Sequence, residues 1–397
     1  MPRRRSRATP TPPPRKTRPL QHLHKRPMRS AGQALAQSYI DPPPRKAKDF
    51  LTKATFTWII NYLKVIFTPR VPFPEYRAPL ADRPGIFPLA RRCKVALVGD
   101  WGSGTKSAYK VMDDIRKSQK PDVTIHLGDI YYSGQVNEVE EYFLGKDDWY
   151  RAKQSFALNG NHEMYSGGEG YFDHVLPALN QETSYFCLEN EHWRIIGLDT
   201  GYYSKVFPLL ELFLGTKLPD AIMKWLKRVV FADGDDRRPV LLLTHHQWFS
   251  AFDTQYPTIG RQLEPYLGKA ALWIWGHEHR FAGYARHALS GGTAVRARCI
   301  GHGGMPVELE KPKRESALVF YDSRVAATVE GDPIGYCGNG LLEFDGQRLV
   351  IRYIDEMGTE LLVEEWKSGG RAGGATGKIR KAAKEMTWVR EAAELVR

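Results

Sequence analysis

Cysteine is scarce in this chain of 397 residues: Cys93, Cys187, Cys299 and Cys337 lie far apart, with no CxxC pair. That spacing excludes a disulfide scaffold and a cysteine-ligated zinc site. Cys93 and Cys187 fall in apolar, strand-like runs and read as buried free thiols. No Asn-x-Ser/Thr sequon occurs, so nothing calls for glycosylation. The Arg-rich start runs into a Pro-Thr-Pro-Pro-Pro stretch with no apolar segment behind it. No signal peptide is therefore expected, and a cytoplasmic location is. Long hydrophobic runs are also missing. Residues 50–67 are the nearest approach, but Lys53 and Lys64 leave about ten uncharged positions between them, short of the roughly twenty a membrane span needs. A helix packed on the domain is the expectation there, and no transmembrane span is expected.

The body of the chain lacks a charge of one sign. The formal net charge is +12, from 57 Lys/Arg against 45 Asp/Glu. Residues 1–48 hold 13 of those bases and a single acid, Asp41, so the other 349 residues balance at 44 against 44. This excludes a basic nucleic-acid-binding surface spread over the whole protein. Ten of the 26 prolines also fall in residues 1–48. Such a leader cannot bury enough apolar surface to offset its ordering entropy, and is expected to be disordered. It reads as a solvated segment, or as a tether to a polyanion or an acidic membrane surface.

What is present from Arg92 onward is an alternation of apolar strands and helices. Strands are expected at Lys94–Gly99, Val123–Gly128, Phe156–Leu158, Trp193–Leu198, Val240–Thr244 and Ala271–Trp275. Helical stretches such as Lys106–Ser118 and Asp220–Val230 separate several of them. The end is β-rich, at Ala317–Tyr321, Gly340–Phe344, Leu349–Ile354 and Glu360–Trp366. This pattern predicts an α/β fold with a large sheet system and not a simple Rossmann order. The expected organisation is a leader (1–48), an apolar helix and linker packing on the domain (49–91), a catalytic domain (92–366), a Gly-rich linker (367–377) and an amphipathic C-terminal helix (378–397). The apolar stretch Val206–Leu214 reads as a packed helix.

Five strands end in residue types competent to bind metals. The endings are VGDWG (Asp100), LGDIYY (Asp129, Tyr131, Tyr132), NGNHE (Asn161, His162, Glu163), LLLTHH (His245, His246) and WGHEH (His277, Glu278, His279). Open α/β sheets bind ligands beyond the carboxyl ends of their strands, so the five points should converge. Carboxylates, imidazoles, an amide oxygen and a phenol form a mixed O/N set suited to Fe, Mn or Zn. They exceed what one ion can use, which points to two ions about 3.5–4 Å apart. Gly99–Ser107 imitates a phosphate-binding loop, but Thr105 stands where its lysine should be.

In that order, GDxG, GDxxY, GNHE, TH and GHxH resemble the calcineurin-like metallophosphoesterases, over roughly residues 92–305. Within them the chain is similar to the purple acid phosphatase branch. Gly102 stands where most branches have a histidine, and Tyr132 stands three residues after Asp129, where that branch has a tyrosine. The resemblance implies a four-layer sandwich of two mixed β-sheets flanked by helices. It implies hydrolysis of phosphate monoesters by in-line attack of a metal-bound hydroxide, with phosphodiesterase or nuclease action as the alternative. Position by position, Asp100, Tyr132 and His279 would hold the first ion, Asp129 would bridge, and Asn161, His245 and His277 would hold the second. The ions would be Fe(III) with Fe, Mn or Zn, or Mn/Zn only. His162 would face a phosphorylated small-molecule or protein substrate. His246 would support a ligand or face the substrate, and Glu163 and Glu278 would orient adjacent ligands. Tyr131 and His126 read as packing residues, and His302 as lining the pocket mouth or as part of a turn. A reading of another class is a non-catalytic, polyanion-binding interaction protein.

Overall fold

The computed structural model describes residues 69–76, 83–145, 149, 151–204, 216–288, 294–329, 332–370 and 373–397. The basic leader and the apolar stretches 50–67 and 206–214 lie outside them. No described helix is long and apolar enough to cross a membrane.

In chain order the first strands are β1 (Ile86–Pro88), β2 (Arg92–Val98), β3 (Val123–His126), β4 (Gln154–Ala157), β5 (Phe186–Glu189), β6 (Arg194–Leu198), β7 (Val240–Thr244) and β8 (Ala270–Trp275). Then come β9 (Phe281–Ala288), β10 (Ala294–Ile300), β11 (Val307–Glu308), β12 (Leu318–Tyr321), β13 (Val325–Val329) and β14 (Asp332–Gly335). The last are β15 (Gly338–Asp345), β16 (Arg348–Asp355), β17 (Glu360–Ser368), β18 (Ala375–Ala382) and β19 (Thr387–Trp388). They form a nine-stranded sheet (β1-β5-β6-β7-β8-β10-β9-β12-β19), a seven-stranded sheet (β18-β17-β16-β15-β2-β3-β4) and a small sheet β11-β14-β13. Both large sheets are mixed. In one, β2, β3 and β4 run parallel, and in the other β6, β7 and β8 do.

The layers follow from side-chain alternation. Along β7, Leu241 and Leu243 point to one buried cluster and Val240 and Leu242 to another; Leu272 and Ile274 of β8 divide from Trp273 and Trp275 in the same way. Val95 and Leu97 of β2 join the cluster that Leu241 and Leu243 enter, so that cluster is the core between the sheets. On the outer side of the nine-stranded sheet lie helices α3 (Asp220–Trp225) and α4 (Pro257–Leu267), through Ile222 and Trp225, and Ile259 and Leu263. Against the outer side of the other sheet pack α1 (Lys106–Asp114) and α2 (Val136–Tyr142), through Val111, Met112 and Val139. The order is helix, sheet, sheet, helix, and central strands buried on both faces read as continuous apolar runs.

The end of the chain departs from expectation. The apolar positions Ile379, Ala383, Met386, Val389 and Ala393 fit helical spacing, but residues 375–382 are strand β18, paired antiparallel with β17. Exposure alternates there, with Thr376, Lys378 and Arg380 outward and Ile379 packed on the inter-sheet core. Lys378 and Arg380 both reach across to Glu365, at 2.9 and 2.7 Å, so cross-strand partners overrode the helical period. The Gly-rich run is the β17–β18 hairpin, closed by Gly369 N–H donating to Gly374 O at 3.0 Å. Only Ala392–Leu395 is helical, as a single 3₁₀ turn.

Candidate metal centre

The loops leaving β2, β3 and β4 bring Asp100, Asp129 and Asn161 to one place. Those leaving β7 and β8 bring His245, His277 and His279 to the same place from the other sheet. Three of these residues have left-handed backbones: Asp100 (φ 58°), Asp129 (φ 72°) and His277 (φ 65°). A non-glycine residue adopts that region at a cost of order 1–3 kcal/mol, so the surroundings must hold it there. Asp100 N–H donates to Gly128 O (3.0 Å), and the Asp100 carboxylate accepts from His277 N–H (2.8 Å). Glu163 Oε2 accepts from the N–H groups of Asp129 (3.2 Å) and Gly160 (2.9 Å), and Asp129 Oδ1 accepts from His162 N–H (3.0 Å). Glycine is required at two close approaches. A Cβ on Gly160 would stand 2.1 Å from Asp129 Oδ1, and one on Gly301 would stand 2.3 Å from Glu278 O and 2.8 Å from Asp100 Oδ2.

The donors form two sets that share Asp129. In the first, the Tyr131 hydroxyl lies 2.9 Å from Asp100 Oδ1, 3.2 Å from Asp129 Oδ2 and 2.9 Å from His279 Nε2. His279 Nε2 is 3.7 Å from Asp100 Oδ1. In the second, His245 Nε2 is 3.3 Å from Asp129 Oδ2, 3.1 Å from Asn161 Oδ1 and 3.2 Å from His277 Nδ1. Ligand atoms of Asp100, Asp129 and His245 all lie within 4.8 Å of one another, as do those of His245, His246 and His277.

These groups are poorly matched to one another without a cation. Burial, together with the Asp129 carboxylate, pushes Asp100 up to about 8. Burial would raise Asp129 too, but the imidazoles of His245 and His162 outweigh it and hold the group well below the carboxylate range. Burial opposes a charged His245, yet the Asp129 and Asp100 carboxylates raise it to about 9. Desolvation drops His279 to about 3, and desolvation with the His245 charge drops His277 to about 4. Tyr131 is pushed well above the phenol range by burial beside Asp100 and Asp129. Two buried carboxylates, three imidazoles, an amide and a phenol converge with His245 as their cation. A divalent ion at either set would supply the missing charge, and the O/N donors fit it.

The other expected residues divide. His162 stands at the edge, 22% exposed, with Nε2 3.8 Å from Asp129 Oδ2 and Nδ1 2.6 Å from Tyr132 O. His246 is buried beside its neighbour, with Nδ1 3.1 Å from Thr200 Oγ1. Glu278 accepts from Ser250 Oγ at 2.8 Å. His302 is buried and stacked on Phe281, with ring centroids 5.3 Å apart, so it packs in the core and does not line a pocket mouth. Tyr131, expected to pack, carries its hydroxyl into the donors; Tyr132 has its backbone N–H on Glu138 (2.8 Å) and its carbonyl at His162. Sequence reasoning also passed over Tyr256, whose hydroxyl is 3.3 Å from His277 Nε2. It follows a ligand motif by ten residues and matches none.

The family model for calcineurin-like phosphoesterases matches residues 93–281. No curated protein sequence matches the chain. Among solved structures, the purple acid phosphatase PPD1 from yellow lupin (Lupinus luteus) seeds aligns with a TM-score of 0.47 and 16% identity, over 68% of this chain and 53% of that one. The chain thus spans about half the length of that phosphatase. PhoD aligns with a TM-score of 0.48 and 11% identity, over 80% of this chain and 76% of its own. GAP50, the anchor in the inner membrane complex of Plasmodium, aligns with a TM-score of 0.44 and 15% identity, over 74% and 90%.

Proposed function

Residues 93–281 belong to the calcineurin-like phosphoesterases, and from that premise we propose that the protein hydrolyses phosphate monoesters at a dinuclear metal centre. The observation that carries the reading is the pair of donor sets sharing Asp129. Asp100, Asp129, Tyr131 and His279 would hold one cation, and Asp129, Asn161, His245 and His277 the other. Bound there, the cations supply Lewis-acid activation of water and neutralise charge on the phosphoryl oxygens. Tyr131 rather than Tyr132 is the phenol donor in this reading, because its oxygen is the one among Asp100, Asp129 and His279. A phenolate favours a strongly charged ion, which supports ferric iron at the first position.

The chain's own residues do the rest. The Asp129 carboxylate holds both positions in one register, and Glu163 fixes it by gripping the Asp129 and Gly160 N–H groups. His162, with Nδ1 at the Tyr132 carbonyl, holds Nε2 3.8 Å from Asp129 Oδ2 at the partly exposed edge of the centre. From there it would hydrogen-bond a phosphoryl oxygen and pass a proton to the leaving alkoxide. Attack would run in line through phosphorus, without a covalent enzyme intermediate.

The test combines turnover with colour. Asp129→Asn or His277→Ala should abolish hydrolysis of an aryl phosphate with little loss of fold by circular dichroism. Unchanged turnover in either variant defeats the assignment. If ferric iron is bound, a tyrosinate charge-transfer band should colour the purified protein, and Tyr131→Phe should remove it while Tyr132→Phe keeps it.

A further inference from the structure

We propose that Tyr256 is a positioning residue that sets the tautomer of His277, and through it the affinity of the second cation position. This rests on the metal reading above and adds to it a residue outside all five motifs. His277 turns Nδ1 inward, 3.2 Å from His245 Nε2, which itself lies 3.1 Å from Asn161 Oδ1. Nδ1 is therefore the atom that faces the second donor set. A neutral imidazole offers a lone pair at Nδ1 only when its proton sits on Nε2. That proton needs an acceptor, since a desolvated N–H left unpaired forfeits the hydrogen bond it had in water. The Tyr256 hydroxyl stands 3.3 Å from Nε2, where its oxygen can accept that bond. With the roles reversed, Nδ1 would carry the proton and the inward lone pair would be lost.

Tyr256 is held for this task. Its side chain is buried, with the ring packed on His246 at 4.9 Å and on His277 at 5.9 Å between centroids. Its N–H donates to Trp248 O at 3.0 Å, and it stands immediately before α4, which begins at Pro257. The loop from Gln247 to Tyr256 is tied across itself by Gln247 Nε2 donating to Thr254 O (2.7 Å). Ser250 Oγ, donating to Glu278 Oε2 (2.8 Å), fastens it to the residue after His277. The segment that leaves one histidine motif thus returns to orient the next. Partners of this kind tune metal affinity about 10–100-fold when removed.

The experiment uses full-length protein, stripped with a chelator and titrated calorimetrically with Zn(II), alongside nitrogen-15 spectra of the histidine rings. Wild type should take up two equivalents, with His277 protonated at Nε2 in the zinc-loaded form. Tyr256→Phe keeps the ring packing and should weaken the second equivalent about tenfold or more, leaving the first unchanged. His277 should then show a mixture of tautomers in the metal-free variant. Two tight equivalents in Tyr256→Phe overturn the proposal, as does a zinc-loaded wild type with the proton on Nδ1, a result that needs no variant to fold. A wild type with no second equivalent overturns the dinuclear reading itself, so the two failures are told apart.

Discussion

Filling the centre with divalent cations should expel protons, and their number follows from the groups that crowd together there. At pH 7, a carboxyl at about 8 is about nine-tenths protonated and an imidazole at about 9 almost wholly so. Asp100 and His245 cannot ligate until those protons leave, so loading releases about two. The sign is fixed by which state each proton prefers. Both pKa values are raised in the metal-free fold, so falling pH strengthens the proton's hold and weakens the metal's. The combined affinity for the two ions should therefore climb about 100-fold per pH unit between about pH 6 and pH 8, about tenfold for each ion, and flatten above about pH 9 as the pair empties. Calorimetric titration with Mn(II) in buffers of different ionisation heat at one pH measures the proton count. Release of less than one proton, or an affinity flat from pH 6 to 8, would refute the claim that burial and mutual charge dominate this site.

Two substitutions probe the scaffold. Gly160→Ala should cost about 1–3 kcal/mol in the metal-free protein and strip most of the bound metal, because the new Cβ would press on Asp129 Oδ1 at 2.1 Å; elemental analysis after dialysis and a melting curve read both effects. Arg298→Ala should cost about 3–5 kcal/mol, or about 10 °C in Tm, by stranding the fully buried Glu364 that Arg298 meets at 2.7 Å. Replacing both partners with apolar residues should recover most of that loss, and a double variant as unstable as Arg298→Ala would contradict it.

The parts of this molecule most legible in its sequence are the five strands that carry the donors. Central strands buried on both faces, such as Val240–Thr244, leave nothing polar until the chain exits the sheet, so the first polar residues mark the functional edge. Antiparallel strands nearer the periphery were harder to see. Residues 281–288 and 294–300 interleave Arg and His with alanine, and nothing local shows that Arg298 is buried, because its partner Glu364 lies 66 residues away. Distance of the same kind hid His302, whose burial depends on Phe281 and on the strand beginning at Gly338. The C-terminal residues carried a real helical period, and only pairing with β17 overruled it. Tyr131 and Tyr132 are chemically identical neighbours, so motif spacing alone could not settle which hydroxyl turns inward.

Each donor set is split between the two sheets. Asp100, Asp129, Tyr131 and Asn161 leave the ends of β2, β3 and β4, whereas His245, His277 and His279 leave the ends of β7 and β8. Neither sheet alone owns a whole coordination sphere. A cation bound at either position would act as a rivet between two slabs joined elsewhere by apolar contact and by the buried Arg298–Glu364 pair. During folding it has nothing complete to bind until those slabs have docked. Metal capture would then report the arrival of the second sheet, and a fragment containing only one sheet would hold ions no better than a loose handful of side chains.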